Sequence, residues 1–154
     1  MNARPCLRWI ADLPKRKFLL LLLLMSSTLS WAANEGRIAR SWFTTAIEDR
    51  EPVDRVVVLD NSHDMLYFFT DVRHMEGHSI THSWEYNGQV ISKKTFEIKG
   101  PRWRVYSKKE LDPSMTGKWS VVIRDERGWP LTVAIFEYVD KAEGGKSMIL
   151  PLSE

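Results

Sequence analysis

From residue 38 onward, apolar and polar residues alternate with a period near two. The stretches are rich in Val, Ile, Phe, Tyr, Trp and Thr and break at turn residues about every ten positions. That period belongs to strands with one face buried and the other in water. It predicts strands at IARSWFTTAI (38–47), RVVVL (55–59), MLYFFTDV (65–72), HSITHSWEY (78–86), QVISKKTFEI (89–98), RWRVYS (102–107), KWSVVIR (118–124) and LTVAIFEYV (131–139). Beyond residue 32 no stretch carries the 3.6-residue period and the caps of a helix, apart from a turn or two near KKEL or before Pro52.

Two connections are hairpin turns. Asn87-Gly88 accepts the positive φ angles of a two-residue turn, and DERG (125–128) joins the last pair of strands. Seven to eight short strands without βα alternation predict an all-β fold: an antiparallel two-sheet sandwich, with a small barrel as the alternative. Parity assigns the faces. His78, Ile80, His82, Trp84 and Tyr86 share the predicted inner face, and Trp119 joins them by alternating with Val121 and Ile123. The tryptophan that enters a hairpin as WEYNG is similar to the third strand of an immunoglobulin-like sandwich, although no cysteine pair flanks it. After Val139 the alternation stops, so 140–154 reads as a loosely ordered C-terminal tail whose MIL either docks or does not.

The first 32 residues follow another logic. A basic KRK (15–17), the apolar run Phe18 to Met25, and the small residues of SSTLSWA have the layout of an export signal, with cleavage expected before Ala33. The run is much shorter than the roughly 20 residues of a spanning helix. The expected organisation is a cleaved signal at 1–32, a sandwich domain at 33–139 and the tail. The expected location is periplasmic or secreted, with an inner-membrane anchor through 18–32 as the alternative if the segment is retained. Cys6 lies upstream of the apolar run and leaves with the signal, so the exported part has no cysteine and relies on its core. Removing 32 of the 154 residues leaves 122, enough for one domain. Five of the 22 Lys and Arg and one of the 20 Asp and Glu also go, turning the whole chain's +2 into −2. A partner held by overall basicity, nucleic acid above all, is excluded on that balance.

The segments FTTAIEDREPVD, HSWEYNG, GPRWRVYS and TGKWSVVIRDERG, in this order, resemble the bacterial family catalogued as domain of unknown function 2914, from about Arg40 to Tyr138. The resemblance implies an exported or membrane-associated protein with no established activity. It carries no catalytic residues over.

Candidate chemistry concentrates in GPRWRVYSKKELDPSMTGKW (100–119). As a strand, RWRVYS turns Trp103, Val105 and Ser107 one way and Arg102, Arg104 and Tyr106 the other. Two guanidinium groups beside a phenol ring suit a carboxylate, a phosphate or an acidic sugar. The plainer alternative pairs both arginines with cross-strand Asp or Glu. Lys108 and Lys109 extend the positive surface into the following loop, or guard an edge against strand pairing. Trp129, between Gly128 and Pro130, is the tryptophan expected to be exposed, and it completes the candidate ligand-binding set.

Histidines 63, 74, 78 and 82 raise a metal site, but four residues along a strand separate His78 from His82 by roughly 13 Å, so no metal or other cofactor is expected. No nucleophile motif or phosphate loop appears. The acidic IEDREPVD (47–54) keeps a glycan-active hydrolase as one alternative, and edge-strand pairing with a larger partner is another. The leading expectation is a non-catalytic envelope module that binds a glycan or a protein partner.

Overall fold

The computed structural model describes residues 35–152; the predicted signal, its cleavage point and Cys6 lie outside that range. Eleven strands follow one another: β1 (Arg37–Thr44), β2 (Ile47–Glu48), β3 (Glu51–Pro52), β4 (Asp54–Asp60), β5 (Met65–Arg73), β6 (Ser79–Tyr86), β7 (Gln89–Glu97), β8 (Arg102–Glu110), β9 (Gly117–Asp125), β10 (Pro130–Val139) and β11 (Met148–Pro151). Each predicted strand is present. No helix among the described residues is long and apolar enough to cross a membrane.

The predicted sandwich is not what these strands build. They form one nearly closed, barrel-like mixed sheet in the order β7-β6-β9-β10-β4-β1-β5-β8, with β11 on β4, while β2 and β3 make a separate small hairpin. What overturns two separate antiparallel layers is a parallel contact, Glu137–Val139 of β10 against Val58–Asp60 of β4, which welds the two halves into one wall. The immunoglobulin-like comparison falls with the sandwich. Part of the tail is also a strand, since Met148–Pro151 pairs antiparallel with β4.

The inner face follows the predicted parity from Ile80 onward, whereas His78, expected on it, is exposed in the turn before β6. Trp84 is 1% exposed, and Ile80, Trp119, Val121 and Ile123 are buried with it. Aromatic rings fill the middle: Phe43 lies 4.9 Å from Phe68, 5.6 Å from Trp84 and 4.7 Å from Phe136 between centroids. Buried rings of this size supply large apolar area and edge contacts together. The polar ends of the core rings find partners. Trp119 Nε1 donates to Met115 O at 3.0 Å and the Tyr138 hydroxyl donates to His63 O at 2.7 Å.

Both predicted turns hold. Asn87 and Gly88 take φ of 48° and 82°. At the β9–β10 turn the Asp125 carboxylate accepts from the N–H groups of Arg127 and Trp129, and Gly128 supplies the positive φ.

The ends of the strand path approach each other through one buried ring. His82 of β6 meets Thr70 of β5 at 3.1 Å and Ser107 of β8 at 2.9 Å. Trp84 Nε1 donates to the same Ser107 hydroxyl at 2.9 Å. Each ring nitrogen of His82 therefore has a hydroxyl partner, Nδ1 that of Ser107 and Nε2 that of Thr70, and the tautomer sets which side donates.

Candidate functional site: an arginine-rich sheet face

On the outer side of β1, β5 and β8, register aligns the side chains in rows. Arg37, Arg73 and Arg102 stand abreast; next come Arg40, Asp71 and Arg104; then Trp42, Phe69 and Tyr106; last Thr44, Tyr67 and Lys108. An irregularity in β1 between Ile38 and Arg40 creates this alignment. With one extra residue, Ala39, in the strand, Ile38 packs toward the core and Arg40 still reaches the outer row.

Asp71 is fully buried at the centre of the basic rows. Arg73 binds it through Nε at 2.9 Å, Arg40 through an Nη at 3.0 Å, and Arg102 stands at 3.5 Å. Burial alone would raise the pKa of this carboxyl, but the hydrogen bonds and charges of Arg73 and Arg40 outweigh it and hold it below the ordinary value. The β2–β3 hairpin folds over the same face and supplies the second carboxylate. Glu51 joins Arg40 at 2.9 Å to Arg104 at 2.9 Å. For Arg40, burial opposes the charge, yet its bonds to Asp71 and Glu51 prevail and push its pKa up.

Below the charged rows, Arg40 lies over the rings of Phe69, 5.2 Å to the centroid, and Trp42, 5.7 Å. Tyr106 stays 44% exposed, its ring 6.3 Å from that of Tyr67. Four guanidinium groups, those of Arg40, Arg73, Arg102 and Arg104, thus share two carboxylates, and Arg37 stands beside them with no ion pair among the described residues. Acceptors run short, and Arg104 Nε and Trp42 Nε1 are buried donors with no partner among the described residues.

The sequence-derived set divides. Arg102, Arg104, Tyr106 and Lys108 line this face together, in the predicted orientation. Arg102 and Arg104 also make the carboxylate contacts of the plainer reading. Lys109 pairs with Leu66 and so falls on the opposite parity, and both lysines belong to β8 rather than to a loop, because the strand runs on to Glu110. Trp129 is 70% exposed but sits in the β9–β10 turn, on strands that do not pair with β8.

Sequence reasoning missed Arg37, Arg40, Arg73 and the role of Asp71. The signal existed in β5, where Tyr67, Phe69, Asp71 and Arg73 alternate with core residues. Of the acidic 47–54 segment, Glu51 is held by two arginines, and Asp54 accepts from the Thr44 hydroxyl at 2.8 Å, from the Thr45 N–H at 2.8 Å and from the Thr45 hydroxyl. Histidines 78 and 82 part company: His78 bonds Glu126 at 2.9 Å at the surface, and His82 lies inside.

No curated protein matches the chain. A family model does, over residues 77–138, and its family is described as a protein of unknown function, DUF2914. The match begins at the β5–β6 turn and is shorter than the resemblance read from Arg40 onward. It takes in β8 and its arginines but leaves out β1, β3 and β5, which supply the remaining cations and both carboxylates. Residues 77–138, from β6 to Tyr138 of β10, are a DUF2914 domain.

Proposed function

We propose that the chain is an exported, non-catalytic binding module of the bacterial cell envelope that holds an acidic glycan on the outer face of β1, β5 and β8. One observation carries the reading: Arg37, Arg73 and Arg102 stand abreast, and among the described residues Asp71 is the one carboxylate that reaches Arg73 and Arg102, while Arg37 makes no ion pair. Like charges directly opposite in a sheet repel. An added carboxylate or phosphate relieves that repulsion through paired guanidinium hydrogen bonds. The exposed Tyr106 ring, two rows away, offers a flat surface to a sugar.

Arg102 is the residue for the test, because its side chain is 48% exposed and its contact with Asp71 is a long one at 3.5 Å. The measurement is calorimetric titration with carboxylated, phosphorylated and neutral oligosaccharides. Arg102→Ala is expected to weaken binding of the acidic ligands about tenfold, the worth of one charged hydrogen bond, and to shift the melting temperature by only a few degrees. Equal affinity of the variant and the unaltered chain, or a preference for neutral sugars, sinks the proposal. Binding confined to an acidic protein captured from envelope extract replaces the glycan with a protein partner.

A further inference from the structure

We propose that the first half of β10 joins two copies of this chain, strand to strand, about a two-fold axis at Val133. The proposal is independent of the arginine face.

Residues Pro130–Ile135 pair with β9 on one side, and pairing on the other side starts only at Glu137, with β4. Over this stretch Leu131, Val133 and Ile135 stand in one outward row at 40%, 55% and 52% exposure. A long, apolar strand edge left open to water is a template for association. The two end strands of the path are guarded differently, while the short β11, paired with β4 alone, is a further uncharged edge. The end strands β7 and β8 carry Lys93, Lys94, Lys108 and Lys109, charges that oppose edge pairing, whereas Pro130–Phe136 contains no charge at all.

The occupant is a second copy because the strand matches itself when reversed. A two-fold contact requires a self-complementary patch. Counting outward from Val133, the neighbours are Thr132 and Ala134, then Leu131 and Ile135, then Pro130 and Phe136: small, large apolar and ring-bearing in step on both sides. Antiparallel pairing about Val133 therefore sets Leu131 against Ile135 of the other copy. It also brings the Glu137 end of one strand to the Arg127–Trp129 end of the other. Glu137 and Arg127 each lack an ion-pair partner among the described residues. The reversal sets Glu137 opposite Trp129 of the other copy, with Arg127 a diagonal step further on.

The geometry gives a direct test. Residues facing each other across an antiparallel pair have Cα atoms about 4.5 to 5.5 Å apart, within the reach of a disulfide. In the full chain with Cys6→Ser, Val133→Cys is expected to oxidise to a covalent dimer on a non-reducing gel, whereas Val90→Cys, on an exposed β7 site, stays monomeric. In sedimentation velocity the unaltered chain is expected to dimerise between about 1 and 100 µM, a range suited to a modest interface. Val133→Glu is expected to remain monomeric with unchanged circular dichroism. A chain that stays monomeric throughout, or Val133→Cys crosslinking no faster than Val90→Cys, overturns the proposal. So does a monomer that floats with anionic lipid vesicles through this strand, which assigns the apolar row to a membrane.

Discussion

His82 shows how one residue's position decides its chemistry. Parity placed it on the inner face beside Ile80 and Trp84, and there it is fully buried. Burial, helped by the nearby Lys94 charge, lowers its pKa from 6.5 to about 3. A base depressed in this way takes up a proton on unfolding anywhere between those two values. Its contribution to stability is complete above pH 6.5 and declines as the pH falls, by about 1.4 kcal/mol per unit, until the folded value is reached. Chemical denaturation from about pH 6.5 down to 4.5 avoids most carboxylate titration and should follow that slope. His82→Asn should lower stability overall and flatten the slope; an unchanged slope would show that the ring is not the titrating group. Asp71 was harder to find. Its own strand alternates cleanly, but its partner Arg40 reaches the same side only because of Ala39, and nothing in the letters around residue 39 announces an extra residue.

Among the elements, β11 is the one held by the fewest means. All four of its residues are exposed, and it touches the sheet through β4 alone. A polar clasp fixes the approach to it: the Ser147 hydroxyl donates to Asp60 at 2.7 Å and accepts from the Asp60 N–H at 2.9 Å. Hydrogen bonds from Ser62 and Ser147 hold the Asp60 carboxyl well below its usual range. The clasp thus contributes fully to stability at neutral pH, and that contribution declines as the pH drops below about 4, where the unfolded carboxyl gains its proton while the folded one stays ionised. Ser147→Ala should speed amide hydrogen exchange across residues 146–151 at least several-fold, because that segment opens locally, while exchange in β6 and β9 stays as it was. Uniform acceleration throughout the sheet would mean that β11 belongs to the global core. The sequence left the docking of MIL open because four exposed residues carry no face pattern. It cut β8 short at Ser107 for a related reason: KKE after a strand looks like loop, yet the strand continues to Glu110 against Met65.

At the scale of the molecule, local alternation specifies strands and faces but not closure. A sandwich and a barrel place the same residues inside. What separates them here is three residues of parallel pairing between β4 and β10, in which Val58 meets Glu137 across most of the described chain. No turn signal encodes such a contact, and the two predicted hairpins are equally compatible with either architecture. Non-local pairing of this kind must close a long loop before it is rewarded. Refolding followed by Trp84 and Trp119 fluorescence after a denaturant jump should accordingly take milliseconds to seconds. Completion within tens of microseconds would mean that closure is not the slow step.

The His82 imidazole also lies 5.0 Å from Phe68 and 4.8 Å from Phe96 between ring centroids, so the neighbours of this β6 side chain belong to β5, β7 and β8. It bridges the gap where the wall fails to join. Ring currents from two sides and full burial make it a natural resonance probe of breathing at that gap, placed by the fold without any label.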